Sequence, residues 1–209
     1  MISTEHATIG RYVALSHCWG EPTDDERMQI CTTEENYTLR LEGFTIDELP
    51  KTFRDAFRIT RAIGVSFLWI DALCIIQQDE SDWDKESQSM EKVFSSAYCT
   101  IAADAAESWT QGFIQRKCLP QYIETERDGK KMYTCDTKHD FANHMRNSKL
   151  NKRAWVLQER ILSRRILHFT ESHTYFACGA SVRCENFTTL IWYDLPIDIY
   201  STTCWPLNY

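Results

Sequence analysis

The chain has 209 residues, 43% of them apolar, which is the length and composition of one globular domain with a sizeable core. A net charge of -7 and the absence of any Lys/Arg run exclude a nucleic-acid scaffold and an anionic-membrane binder. The N-terminal MISTEHATIGRY has no basic-then-apolar leader, and no apolar run approaches membrane-spanning length, so a soluble cytoplasmic protein is expected. Nine cysteines occur without a CxxC pair. His173, Cys178 and Cys184 have no zinc-ligand spacing, so neither disulfides nor a metal is expected.

Tyr12–Ser16 reads as a short strand, with Ser16, His17 and Trp19 at its carboxyl end before a turn at Gly20. Neighbouring side chains on an extended strand point to opposite faces, so Ser16 and His17 do not pair as nucleophile and base. They suit ligand contact at a loop mouth, or a capped turn with a packed indole. Residues 21–49 are polar and acidic, a surface loop with a short helix near Glu34–Leu41. Pro50 marks a helix start, and Thr52 with Asp55 has the spacing of a capping box. Phe53, Ala56, Phe57, Thr60 and Ile63 form that helix's buried face, and Gly64 ends it.

The run Phe67–Ile70 reads as a strand buried on both faces. It ends at Asp71; Ala72–Ile76, which includes Cys74, leads into a polar loop at Gln77. Ser81 and Asp84 then have capping spacing, and Trp83, Ser87, Met90, Val93, Phe94 and Ala97 share one helical face. At 100° per residue, Glu86 falls inside that apolar arc while the other charges of the helix fall outside. An inward carboxylate needs a partner or a task, and its pKa rises on burial. Glu86 is therefore a general acid/base candidate, or else an edge residue whose head reaches solvent.

Beyond Asp104, residues 105–150 lack a period and read as a long variable insert with a hairpin near Tyr122–Cys135. A well-buried helix is expected over 151–163, capped by Asn151 and interrupted by Gln158 and Glu159 beside Trp155. Those two residues pin a loop or line a site. Arg160, Arg164 and Arg165 crowd its end, favoured there by the helix dipole or held ready for a phosphate. Arg165–Phe169 and Thr174–Cys178 are two more strands, and the tail from Thr188 is aromatic, with Trp192, Tyr193, Tyr200 and Trp205. Helix–strand alternation implies one α/β domain over 1–209: a mostly parallel sheet flanked by helices, with core motifs at 12–103 and 153–186 and a tail at 187–209.

Three ordered blocks resemble the HET, or heterokaryon-incompatibility, domain of fungi. They are YVALSHCWG (12–20), FLWIDALCIIQQDESDWDKESQSMEKVFSSAYCTIAA (67–103), and RAWVLQERILSRRILHF (153–169) followed by FACGASVRCEN (176–186). The family's first block usually carries an aromatic residue where His17 stands. Its second ends Cys-Ile-x-Gln, as Cys74–Gln77 does. Its third reads Arg-Gly/Ala-Trp-x-x-Gln-Glu, matched by Arg153, Ala154, Trp155, Gln158 and Glu159.

The resemblance implies an effector of regulated cell death in fungal non-self recognition. It also implies a distant likeness to TIR domains, flavodoxin-like modules some of which cleave NAD at the nicotinamide–ribose bond. Their key glutamate follows a Trp by three residues, as Glu86 follows Trp83. On that basis NAD is the expected substrate, no cofactor is expected, and Glu86 is the catalytic residue. The ligand-binding candidates are Ser16, His17, Trp19, Gly20, Asp71, Cys74, Gln77, Arg153, Trp155, Gln158, Glu159 and Arg160, with Arg153 or Arg160 on a phosphate. The alternatives are a non-catalytic module that self-associates, and a stand-alone metabolic enzyme acting on another small molecule. A Cys74 nucleophile is the third.

Overall fold

A computed structural model of the chain describes residues 10–115, 122–127, 129–135, 141–153, 155–186 and 188–190. The aromatic tail with Trp192, Tyr193, Tyr200 and Trp205, and Ala154 of the third block, lie outside the described residues.

Strand β1 (Tyr12–Ser16) is followed by helices α1 (Asp24–Ile30), α2 (Tyr37–Glu42) and α3 (Lys51–Ala62). Strand β2 (Phe67–Trp69) runs into a single turn, α4 (Asp71–Cys74), and then α5 (Glu80–Ser96) and β3 (Cys99–Ala102). The hairpin β4 (Tyr122–Arg127) and β5 (Lys130–Cys135) forms a separate two-stranded sheet, where the sequence predicts it. After α6 (Phe141–Arg146) and α7 (Val156–Leu162) come β6 (Arg165–Phe169), β7 (Thr174–Cys178), β8 (Val182–Cys184) and β9 (Thr189–Leu190). The main sheet has the order β2-β1-β3-β6-β7-β8-β9. Its first four strands are parallel and the last three extend it antiparallel. The fold is α/β, a mostly parallel sheet flanked by helices with extra C-terminal strands.

Alternation along β1 divides the core. Val13 and Leu15 pack with Phe53 and Ala56 of α3, whereas Ala14 packs with Phe94 of α5 on the opposite face. Strand β3 is buried throughout, as a central strand must be. Strand β2 is only half buried, because it forms the sheet edge with β1 as its one neighbour. An apolar run of this length reads alike at an edge and at a centre.

Both expected capping boxes are displaced. Helix α5 is capped by Asp79, whose side chain accepts from the Ser81 and Asp82 amides, and not by Ser81. Helix α3 starts after Pro50 without a side-chain cap; Thr52 and Asp55 are buried and serve the 108–114 loop instead. Residues 105–150, expected as a long variable insert, also contribute to the core. Ala106, Trp109 and Phe113 enter the core cluster at α3, and Phe141, Met145 and Leu150 build a further cluster with Tyr175 and Val182.

The expected buried helix over 151–163 is two pieces: a 3-10 turn at Lys149–Lys152, then α7. Trp155, Leu157 and Gln158 are exposed, and Asn151 is not an α-helix cap but accepts a hydrogen bond from Arg160. Among the described residues, no helix is long and apolar enough to cross a membrane.

Candidate functional site

Beyond the carboxyl ends of β1 and β2, the loops that follow them, α5 and the 153–159 segment enclose a cavity of about 230 Å³. Its walls carry three indoles, Trp19, Trp83 and Trp155, and its polar groups are Asp71, Gln77, Ser87, Arg153 and Glu159. Each is positioned by a local reason. Asp71 opens α4, where its carboxylate accepts from the Ala72 amide at 2.8 Å and from Trp19 Nε1 at 3.0 Å. Gln77 donates through its side-chain amide to the Ile75 carbonyl at 3.1 Å. Arg153 follows the 3-10 turn and spans three segments. It donates to the His17 carbonyl, stands 3.5 Å from Asp71 Oδ2 and 4.0 Å from Glu159 Oε1.

Glu159 occupies the first turn of α7 and is almost fully buried, with Ser16 Oγ donating to its Oε2. Burial pushes its pKa up, opposed by the Arg153 charge and the Ser16 hydrogen bond and reinforced by Asp71. A carboxyl group so placed can exchange a proton or stabilise developing positive charge. Indole walls beside carboxylates favour a flat, electron-poor or cationic ring.

Six of the residues expected from the sequence meet at this cavity: Trp19, Asp71, Gln77, Arg153, Trp155 and Glu159. Ser16 and His17 stand behind the wall. The His17 ring is wholly buried, edge-on to Phe53 at 5.0 Å, with Nδ1 3.7 Å from Asp71, and burial lowers its pKa to about 4.

The others lie off the lining. Gly20 has φ +76° and a β-carbon there would stand 2.6 Å from Ser108, so this glycine shapes the turn and is not on the lining. Gln158 faces solvent, since one residue along a helix turns 100° from Glu159. Arg160 is buried and already holds Asp104 at 2.6 Å and Asn151, which leaves it no phosphate to meet. Cys74 is off the lining, and withdrawal from water pushes its thiol up to about 11, against a nucleophile. Glu86 is half buried on α5, one residue from the lining Ser87 but not itself on the lining; burial and then Asp82 raise its pKa.

The lining residues the sequence left out of the site are Ile75, Trp83, Ser87 and Met90. The sequence places the last three on α5's core face, and periodicity cannot tell a core wall from a cavity wall. Among the described residues, no group of three or more His, Cys, Asp or Glu side chains is placed to hold a metal ion.

A family model described as "Heterokaryon incompatibility protein (HET)" matches residues 12–159, a span that contains every lining residue. No curated protein and no solved structure matches the chain.

Proposed function

The chain belongs to the heterokaryon incompatibility (HET) family, and from that premise we propose that it is a cytoplasmic effector of fungal non-self recognition whose cleft cleaves the N-glycosidic bond of an NAD-type nucleotide. The observation that carries this reading is the buried Glu159 carboxyl group facing an indole-walled cavity. The cavity lies beyond the carboxyl ends of parallel strands, where open α/β sheets take their ligands. Drug-sized ligands fill roughly 300–1,000 Å³. About 230 Å³ therefore suits a nicotinamide ring and its ribose, with the rest of the nucleotide outside.

In this reading the indoles of Trp19, Trp83 and Trp155 hold the cationic ring, and Glu159 stands against the positive charge that develops on the ribose as the ring departs. Arg153 keeps Asp71 and Glu159 in place and leaves its outer edge for a phosphate. Water then completes the hydrolysis. Glu86, which helical geometry and the likeness to the TIR Trp-x-x-Glu pattern both suggest, lies off the lining, one residue from Ser87.

The test is nicotinamide release from NAD, followed by chromatography. Glu159→Gln is expected to lose at least 100-fold and Glu86→Gln less than 10-fold. The reverse ranking moves the catalytic role to Glu86, and no release by the wild type at high protein concentration ends the reading.

One observation favours a second reading, a self-associating module without turnover. Trp83, Trp155 and Leu157 are each about half exposed. It predicts concentration-dependent assembly by sedimentation, and killing that survives Glu159→Gln.

A further inference from the structure

The turn joining β6 to β7 and helix α6 border a second cavity, of about 340 Å³, that the reading above does not use. Two of its lining residues are Ser172 in the turn and His144 on α6. They are 28 positions apart in sequence, yet Ser172 Oγ lies 3.1 Å from His144 Nε2. On the other side of that ring, His144 Nδ1 lies 2.7 Å from the hydroxyl of Tyr175, a fully buried residue of β7. Hydroxyl, imidazole and orienting group in one hydrogen-bonded chain are the arrangement that activates a serine.

The surroundings hold that geometry. The turn is closed by Thr170, whose Oγ1 donates to the His173 carbonyl at 2.7 Å and accepts from the His173 amide at 3.0 Å. His173 Nδ1 lies 3.0 Å from Ser172 Oγ, so the serine oxygen stands between two imidazoles. If one accepts the hydroxyl proton, the other can donate to the oxygen. Ser172 and His144 are both partly exposed, and both line the cavity.

We propose that Ser172 is a nucleophile for acyl transfer, with His144 as its general base and Tyr175 as the group that orients the ring, acting on small uncharged carboxylic esters. Charge excludes phosphate esters. Of the cavity's charged groups, Asp104 is held by Arg160 at 2.6 Å and Lys149 by Glu107 at 2.6 Å, which leaves the exposed Glu171 carboxylate to turn an anion away.

Ser172 Oγ bonds to the ester carbonyl carbon as its proton passes to His144 Nε2 and the carbonyl electron pair moves onto oxygen. Collapse re-forms the carbonyl and breaks the bond to the leaving oxygen, which takes the proton from His144 and departs as an alcohol. Water then adds to the acyl carbon and gives a proton to His144. Ser172 leaves with that proton and the carboxylic acid is released.

The experiment treats the protein with a fluorophosphonate probe and maps the adduct by peptide mass spectrometry. One adduct is expected, on Ser172. Ser172→Ala abolishes it and His144→Gln slows it at least 100-fold, both with wild-type melting. If His144→Gln melts lower, Ser172→Cys replaces it as the reading. With His144 acting as base, the thiol introduced there reacts with iodoacetamide at least 10-fold faster than a free cysteine at pH 7. No adduct at Ser172, labelling unaffected by His144→Gln in a folded variant, or an ordinary thiol rate overturns the proposal.

Discussion

At the level of single residues, His17 has the clearest thermodynamic signature. Its ring is buried and its pKa falls from 6.5 to about 4. The unfolded chain therefore binds a proton that the folded chain refuses. This group's stabilising contribution is complete above pH 6.5 and is lost as pH falls from there to about 4, a loss of about 3 kcal/mol. Buried His168 has a lowered pKa too and adds a slope of the same sign. Comparison with His17→Phe isolates the His17 contribution, since the phenyl ring keeps the edge contact with Phe53 without titrating. Urea unfolding at pH 7, 6, 5 and 4 is expected to give curves for the two proteins that diverge by about 3 kcal/mol toward acid. Parallel curves would mean that the ring is hydrated or paired in the folded state.

At the scale of elements, α3 shows how a correct residue pattern finds an unexpected use. Thr52 and Asp55 have capping chemistry, but the groups they satisfy belong to a loop more than 50 residues later. Asp55 Oδ2 accepts from the Phe113 amide at 2.9 Å and the Ile114 amide at 3.3 Å, and Thr52 Oγ1 accepts from the Gly112 amide at 3.2 Å. Gly112 has φ +72°, and a β-carbon there would stand 2.6 Å from Asp55 Oδ2. The loop thus depends on glycine for both its turn and its approach. Asp55→Ala strands two amides beside buried Phe113 and should cost about 2–4 kcal/mol, with Asp55→Asn, which keeps an acceptor, costing less. The exposed Arg58 partner contributes little to that loss. Thermal melts compare the two variants, and a cost for Asp55→Ala no larger than for Asp55→Asn would show that the loop is held by packing alone.

For the molecule as a whole, Asp104 ties the parallel strands to the elements that follow them. It accepts from His168 Nδ1 on β6 at 2.8 Å, from Arg160 on α7 at 2.6 Å, and from Ser148 ahead of the 3-10 turn. Burial raises the Asp104 pKa, but the His168 and Arg160 charges, with the hydrogen bonds from His168 and Ser148, outweigh it and leave the group lowered. Arg160→Met leaves a buried carboxylate without its cation, for an expected loss of about 3–5 kcal/mol. Adding Asp104→Asn should recover at least half, because no uncompensated charge remains. A double-mutant cycle in urea measures this, and strict additivity would refute the network.

The same contrast separates what could be read from the chain and what could not. Periodicity, turn residues and ordered motifs were enough for the α/β class, the parallel strands, the β4–β5 hairpin and six of the residues that meet at the cavity. These signals are local: they report which face of an element is apolar and where a loop begins. Whether Glu86 or Glu159 faces the hollow, which side of α5 is cavity and not core, and that Ser172 meets His144 depend on how separate elements pack. Helical geometry places a side chain on an arc, but only the neighbouring element decides whether that arc meets a wall, a void or water.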